Sequence, residues 1–184
     1  EVVEKMVKKG QEEKSLQYIA FHGDFDYTSK NALELDAVGR ILSTRLLEVI
    51  REDKSSVYSI SARPSSSKFP EEEYTVGIYY GTSPDKLEEL KEAVFAEIRD
   101  FAENGPSEEE LSKAKEKLLR EREISMRENN FWLSILSNTY YLKDGDFSSF
   151  GTFDEIVEGM TTESIQNAFK KYFDFDSYVS VALK

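Results

Sequence analysis

Leu35, Val38, Leu42, Leu46 and Val49 step by three and four along one segment, and two alternating segments follow it. The first spacing places a single apolar face on a long helix over residues 29–52, with Thr28 or Ser29 able to cap its start. Gly39 inside that helix costs stability relative to Ala and leaves room for close approach of a neighbouring element. Asp53-Lys54-Ser55-Ser56 turns the chain. Over residues 57–63, Tyr58, Ile60 and Ala62 share one face while Ser59, Ser61 and Arg63 share the other, which reads as a half-buried strand. Residues 73–80 alternate in the same way through Tyr74, Val76, Ile78 and Tyr80. A Ser-rich loop from Pro64 to Pro70 joins the two as an antiparallel hairpin.

The flanks extend this pattern. Leu16 to Phe21 reads as a strand with Tyr18 and Ala20 on one face, Ile19 and Phe21 on the other, so that both faces are expected to be covered. Ser83-Pro84 reads as an N-cap followed by Pro at the first helical position, opening a helix to about Glu103 that Asn104-Gly105-Pro106 stops. Ser107 with Glu110 forms a capping box for a helix to about Glu128. An apolar helix over roughly 130–142, a loop from Lys143 to Gly151, and short helices near 152–159 and 162–173 follow, the last capped by Thr161. Tyr178 to Leu183 alternates as a final strand. Residues 1–14 are charged and polar and read as a linker or lead-in, which leaves 15–184 as one domain. Strands do not alternate strictly with helices, so a doubly wound parallel sheet does not fit. The expected fold is α+β: a two-layer sandwich, mainly antiparallel, with helices on one face.

Composition narrows the chemistry. The 184 residues include 24 Lys and Arg against 36 Asp and Glu, a net charge of −12 that sets aside a generic nucleic-acid or anionic-membrane binder. No run reaches the roughly 18 apolar residues of a membrane span. Cysteine is absent, which removes disulfides, thiolate zinc sites and cysteine nucleophiles. The sole histidine, His22, cannot build a His-rich catalytic zinc site within this chain. Catalysis is thereby pushed towards carboxylates or towards a partner. The N-terminus shows no signal peptide and no initiator Met, so the chain is expected to be a mature product or a piece of something larger.

Arg51 and Tyr58 head the candidate residues. Arg51 falls in the last turn of a helix and Tyr58 just inside the next strand, so the turn between them can bring both to one corner. Such a pair can hydrogen-bond a peptide carbonyl or an oxyanion. Equally, Arg51 can complement the helix dipole and Tyr58 can be an ordinary strand aromatic. Asp144-Gly145-Asp146-Phe147-Ser148 with Glu155 at the twelfth position partly imitates a calcium loop, but Ser149 stands at the sixth position where the turn needs Gly. His22 reads as a structural hydrogen-bonder at a strand end. Glu71 to Glu73 and Glu108 to Glu110 read as solvated faces. Phe131, Trp132, Tyr140 and Tyr141 read as core or interface rather than a ligand box.

At Arg51-Glu52-Asp53-Lys54-Ser55-Ser56-Val57-Tyr58 the chain resembles the non-zinc domain of the pitrilysin-like metallopeptidases, which carries Arg, six residues, then Tyr at a helix-to-strand corner. Lys9-Gly10, Phe21-His22-Gly23, Leu42-Ser43-Thr44-Arg45-Leu46 and Gly105-Pro106-Ser107-Glu108-Glu109-Glu110-Leu111 extend the resemblance, in order, over roughly residues 9–183. It looks most like the last domain of a bacterial zinc protease. The resemblance implies that the zinc, its His-x-x-Glu-His motif and its general base lie in a partner catalytic domain, of the same polypeptide or another subunit. It implies no cofactor or metal in this chain and no activity from it alone. Tyr58 would then donate to the scissile carbonyl and Arg51 would orient an unstructured peptide or stabilise developing charge. It also implies a periplasmic or otherwise exported bacterial protein. A catalytically silent scaffold of the same fold, or an unrelated α+β binding module, are the alternative expectations.

Overall fold

The computed structural model describes residues 1–9, 13–52, 59–143, 145–148 and 150–184, apart from the side chains at 50–52 and 143. A five-stranded sheet has β2 (Ser15–Asp24) at its centre. On one side β2 pairs antiparallel with β4 (Glu73–Thr82), which pairs antiparallel with β3 (Ile60–Ser67) at the edge. On the other side β2 pairs antiparallel with β5 (Tyr178–Leu183), and β5 pairs parallel with β1 (Val3–Val7). The helices are α1 (Ser29–Glu52), α2 (Leu87–Asn104), α3 (Glu108–Ser125), α4 (Asn129–Lys143), α5 (Phe153–Glu158) and α6 (Thr162–Tyr172). Ile19, Phe21, Val76, Ile78 and Tyr80 from the sheet form one buried cluster with Leu42, Val94, Phe101, Leu118 and Phe169 from the helices. The opposite face carries the half-exposed Leu16, Tyr18 and Tyr79. The molecule is therefore the expected two-layer α+β sandwich with its helices on one face.

Local chemistry explains most boundaries. The Thr28 hydroxyl accepts from the Asn31 amide at 3.1 Å and starts α1. Both capping boxes form: Ser107 with Glu110 opens α3, and Thr161 with Ser164 opens α6. Gly105 ends α2 at φ 71°, a left-handed conformation that favours glycine.

Four local expectations change. Val3–Val7, expected within a lead-in, is an edge strand, tied down where the Lys9 amide donates to the Lys184 carbonyl at 3.0 Å and the Lys184 amide donates to the Val7 carbonyl at 2.8 Å. An edge strand needs no continuous apolar face, so Glu4 and Lys5 conceal it in the sequence. Ser83 and Pro84 form a turn, closed by the Lys86 amide on the Ser83 carbonyl at 3.1 Å, and α2 begins only at Leu87. Pro at the second position of such a turn is as favourable as Pro inside a helix. β3 absorbs Pro64 to Ser67 from the expected loop, because an edge strand tolerates a proline without an amide hydrogen. β2 is covered on one face only: of its outer residues Ala20 is buried while Leu16, Tyr18 and His22 are exposed.

α1 and β3 lie in direct contact. A Cβ added to Gly39 would overlap the Pro64 ring, so helix and strand meet backbone to ring at this point. One turn on, the Ser43 hydroxyl donates to the Ala62 carbonyl at 2.9 Å and accepts from the Ala62 amide at 3.0 Å. Both polar groups of an edge-strand residue are thereby satisfied by a helix side chain.

Candidate functional site

The backbone of Arg51 lies in the last turn of α1, and β3 begins at Ile60. The chain thus passes from helix to strand across the segment that the motif occupies. Tyr58 lies outside the described residues, as does the side chain of Arg51.

What holds the end of α1 in place is described fully. Arg45, one and a half turns before Arg51, is 13% exposed in its side chain and reaches three elements. Its Nη2 donates to Glu110 at 2.9 Å and to the Gly105 carbonyl at 2.9 Å. Its Nε donates to the second Glu110 oxygen, completing a bidentate pair. Its Nη1 reaches Glu97 at 3.2 Å and Asp100 at 3.0 Å, and the guanidinium lies 4.7 Å from the centre of the Phe101 ring. Burial alone would raise the Glu110 carboxyl, but hydrogen bonds from Arg45 and Ser107 outweigh it and lower the group to about 2. Glu97 goes the other way: burial raises it, and Arg45 offsets only part of that. Glu110 therefore caps α3, anchors Arg45 and fixes the last third of α1 against α2 and α3.

The remaining candidates separate. His22 is exposed on the open face of the sheet, opposite Thr75. Of the calcium-like loop, Asp144 and Ser149 lie outside the described residues, and Asp146 accepts from the Ser148 amide at 2.8 Å and from its hydroxyl at 2.9 Å. Glu72 ties the start of α1 to the β3–β4 connection: its carbonyl accepts from the Phe25 amide at 2.9 Å and its carboxylate from the Tyr27 amide at 3.1 Å. Glu109 pairs with Lys113 at 2.6 Å on the surface. Trp132 donates to the Met126 carbonyl at 2.8 Å and sets its ring edge-on to Phe131. Tyr140 and Tyr141 are 67% and 69% exposed, which excludes a core role in this chain and leaves the interface reading.

A cleft of about 400 Å³ opens between the start of α1, the inner side of α4 and the segment leading into α5. Ala32, Leu33, Ile135, Leu142 and Phe153 give it apolar walls, and Arg122 stands among them. Nothing in the sequence separates Arg122 from the other cations of α3, because its surroundings come from three distant stretches of chain.

The described residues do not fit a catalytic zinc: the one histidine is exposed, and no group of three or more His, Asp or Glu side chains is placed to hold an ion. Against known proteins, residues 3–118 match the family described as the peptidase M16 inactive domain. The chain is 24% identical over 167 residues to YmxG of Bacillus subtilis, described as an uncharacterized zinc protease, covering 89% of this chain and 39% of that protein. It spans about two fifths of that relative. The fold superposes on the periplasmic protease PqqL of Escherichia coli with a TM-score of 0.84 at 21% identity, covering 98% of this chain and 20% of that one. A peptidase M16 inactive domain from Pseudomonas fluorescens gives a TM-score of 0.78 at 18% identity, covering 99% of this chain and 43% of that one. In each of these the matched part is a fraction of a longer chain. With more than half of its length matched by the family model, the chain belongs to the family described as the peptidase M16 inactive domain.

Proposed function

We propose that this domain closes over the catalytic zinc domain of a pitrilysin-like metallopeptidase and helps to bind and orient its peptide substrate through Arg51 and Tyr58. The match of residues 3–118 to an inactive domain of a peptidase family carries this reading, because Arg51 and Tyr58 both fall within it. The fraction of PqqL and YmxG that the chain spans supports a zinc domain in the same polypeptide. Zinc would be held there, and this chain holds none.

Arg51 lies in the last turn of α1, and this helix is held to β3 at Gly39 and Ser43 and to α3 by Arg45. A helix held on both sides suits a group that must meet a substrate held by another domain, since positioning is most of what a remote donor contributes. The Tyr58 hydroxyl donates to the carbonyl oxygen of the scissile bond, and its bond strengthens as that oxygen gains charge. Arg51 binds the peptide backbone or the same developing charge. The protein containing this domain is exported, a placement that the periplasmic PqqL supports.

The test is cleavage of a quenched, unstructured peptide by this chain alone and by the chain joined to its zinc domain. Activity only when joined is expected, and Tyr58→Phe in the joined protein lowers kcat by about a hundredfold while changing KM little. Wild-type kcat in Tyr58→Phe removes Tyr58 from the mechanism. Silence of the joined, zinc-loaded protein on a panel of peptides favours a scaffold of the same fold.

A further inference from the structure

We propose that the cleft between α1 and α4 binds the C-terminal residue of a peptide, with its apolar side chain between the helices and its carboxylate on Arg122. The inference rests on the reading of this domain as peptide-binding, but on residues far in sequence from Arg51 and Tyr58.

Arg122 is the first observation. Its guanidinium lies 4.3 Å from the centre of the Phe153 ring, 5.2 Å from Phe150 and 5.6 Å from Phe131. It donates to the Phe150 carbonyl at 3.2 Å. Among the described residues no carboxylate lies within ion-pair distance of it, and its side chain borders the cleft. Burial lowers its pKa, and Asp154 counters that only from a distance. A partly desolvated cation that makes no close ion pair among the described residues gains from any carboxylate that enters beside it.

The second observation is the shape and lining of the site. A volume of about 400 Å³ admits one or two large side chains, and Ala32, Leu33, Ile135 and Leu142 present hydrocarbon to them. The start of α1 also borders the cleft; its first turn contains no acidic residue, and the Asp26 carboxylate just before it accepts from the Asn31 side chain at 3.2 Å. Asp146, the acidic residue that borders the cleft, is turned to the Ser148 amide and hydroxyl. The site thus asks for negative charge and apolar bulk side by side. A peptide's last residue carries both on one α-carbon, whereas an internal apolar residue brings only neutral amides.

The experiment is a fluorescence-anisotropy titration of the 184-residue chain with a dye-labelled Ala-Gly-Leu-Phe, as the free acid and as the C-terminal amide. The acid is expected to bind at least about tenfold more tightly than the amide. Arg122→Gln abolishes that difference, Arg122→Lys keeps part of it, and Ile135→Trp, which fills the cleft, weakens both forms. Circular dichroism and melting of each variant separate lost binding from lost folding, and Ile135→Trp with Arg122→Lys decide the matter if Arg122→Gln does not fold. Equal affinity for acid and amide, or binding by neither, overturns the proposal. Selective binding of the acid by a chain whose joined enzyme shows no peptidase activity would sink the proposed function and leave this site standing. Full activity with no preference for the acid would do the reverse.

Discussion

Two arginines, both set against aromatic rings, divide this molecule into unlike halves. Arg45 satisfies its guanidinium on Glu110, Glu97, Asp100 and the Gly105 carbonyl and packs over Phe101, so α1, α2 and α3 converge on one saturated hub. Arg122 packs over Phe153, Phe150 and Phe131 but, among the described residues, donates to one carbonyl. Around the first, Phe101 and Phe169 stack at 4.2 Å with no exposure. Around the second, α4 turns Leu133, Tyr140 and Tyr141 outward, each more than 60% exposed. An apolar helix left open on one side and facing a cleft on the other is not finished by its own chain, whereas a saturated hub is. The first half builds the fold, and the second is available to bind.

Substitutions sharpen or break that contrast. Phe169→Ala removes a ring stacked on both Phe101 and Phe173 and should cost about 4 kcal/mol in a urea melt. Gly39→Ala forces a Cβ into the Pro64 ring, where strand backbone gives little, and should cost about 2 kcal/mol despite the better helix propensity of Ala. Arg45→Ala strands Glu110 and Glu97; with partners a quarter exposed, about 1–2 kcal/mol is expected rather than the full cost of a broken buried pair. Tyr140→Ser on the outer side of α4 should shift the melt by less than about 0.5 kcal/mol. A larger loss there would mean that α4 belongs to the folding core.

The hub also predicts a pH dependence. Glu110 titrates at about 2 in the fold against an ordinary 4.5, so its stabilisation is complete above about pH 4.5 and is lost as pH falls from there towards 2. Glu97, raised by burial, contributes the opposite sign and softens the slope. Urea midpoints measured through this window should fall with acid in the parent chain and fall less in Arg45→Ala. Equal slopes would remove the Arg45–Glu110 pair as the cause.

The helix over Ser29–Glu52, the Ser107–Glu110 capping box, the Thr161 cap and the Tyr178–Leu183 strand were legible because each depends on residues within a few positions of one another. The Gly39 contact could be anticipated in kind but not in partner, since Pro64 lies on another element. β1 was not legible: Glu4 and Lys5 sit at the open edge of the sheet, and only the pairing with β5 makes Val3–Val7 a strand. The Ser83-Pro84 pair carried the chemistry of a helix start and of a turn equally well, and the packing of Leu87 and Leu90 in the core selected the later boundary. At the motif itself, the spacing of Arg51 and Tyr58 carried the resemblance to the family; Arg51 falls within α1, and Tyr58 lies outside the described residues.

The sequence by itself determined the class of fold and the supply of a single histidine, because periodicity, capping and composition are local or additive; the kinship with a peptidase family was legible separately, in the order of the motifs that resemble it. Tertiary structure alone decided that Arg45 is saturated while Arg122 is not, although both are cations on amphipathic helices. The difference lies in which distant carboxylates and rings the fold brings within a few ångströms, and electrostatic contributions of that kind depend on distance and burial, neither of which is written along the chain.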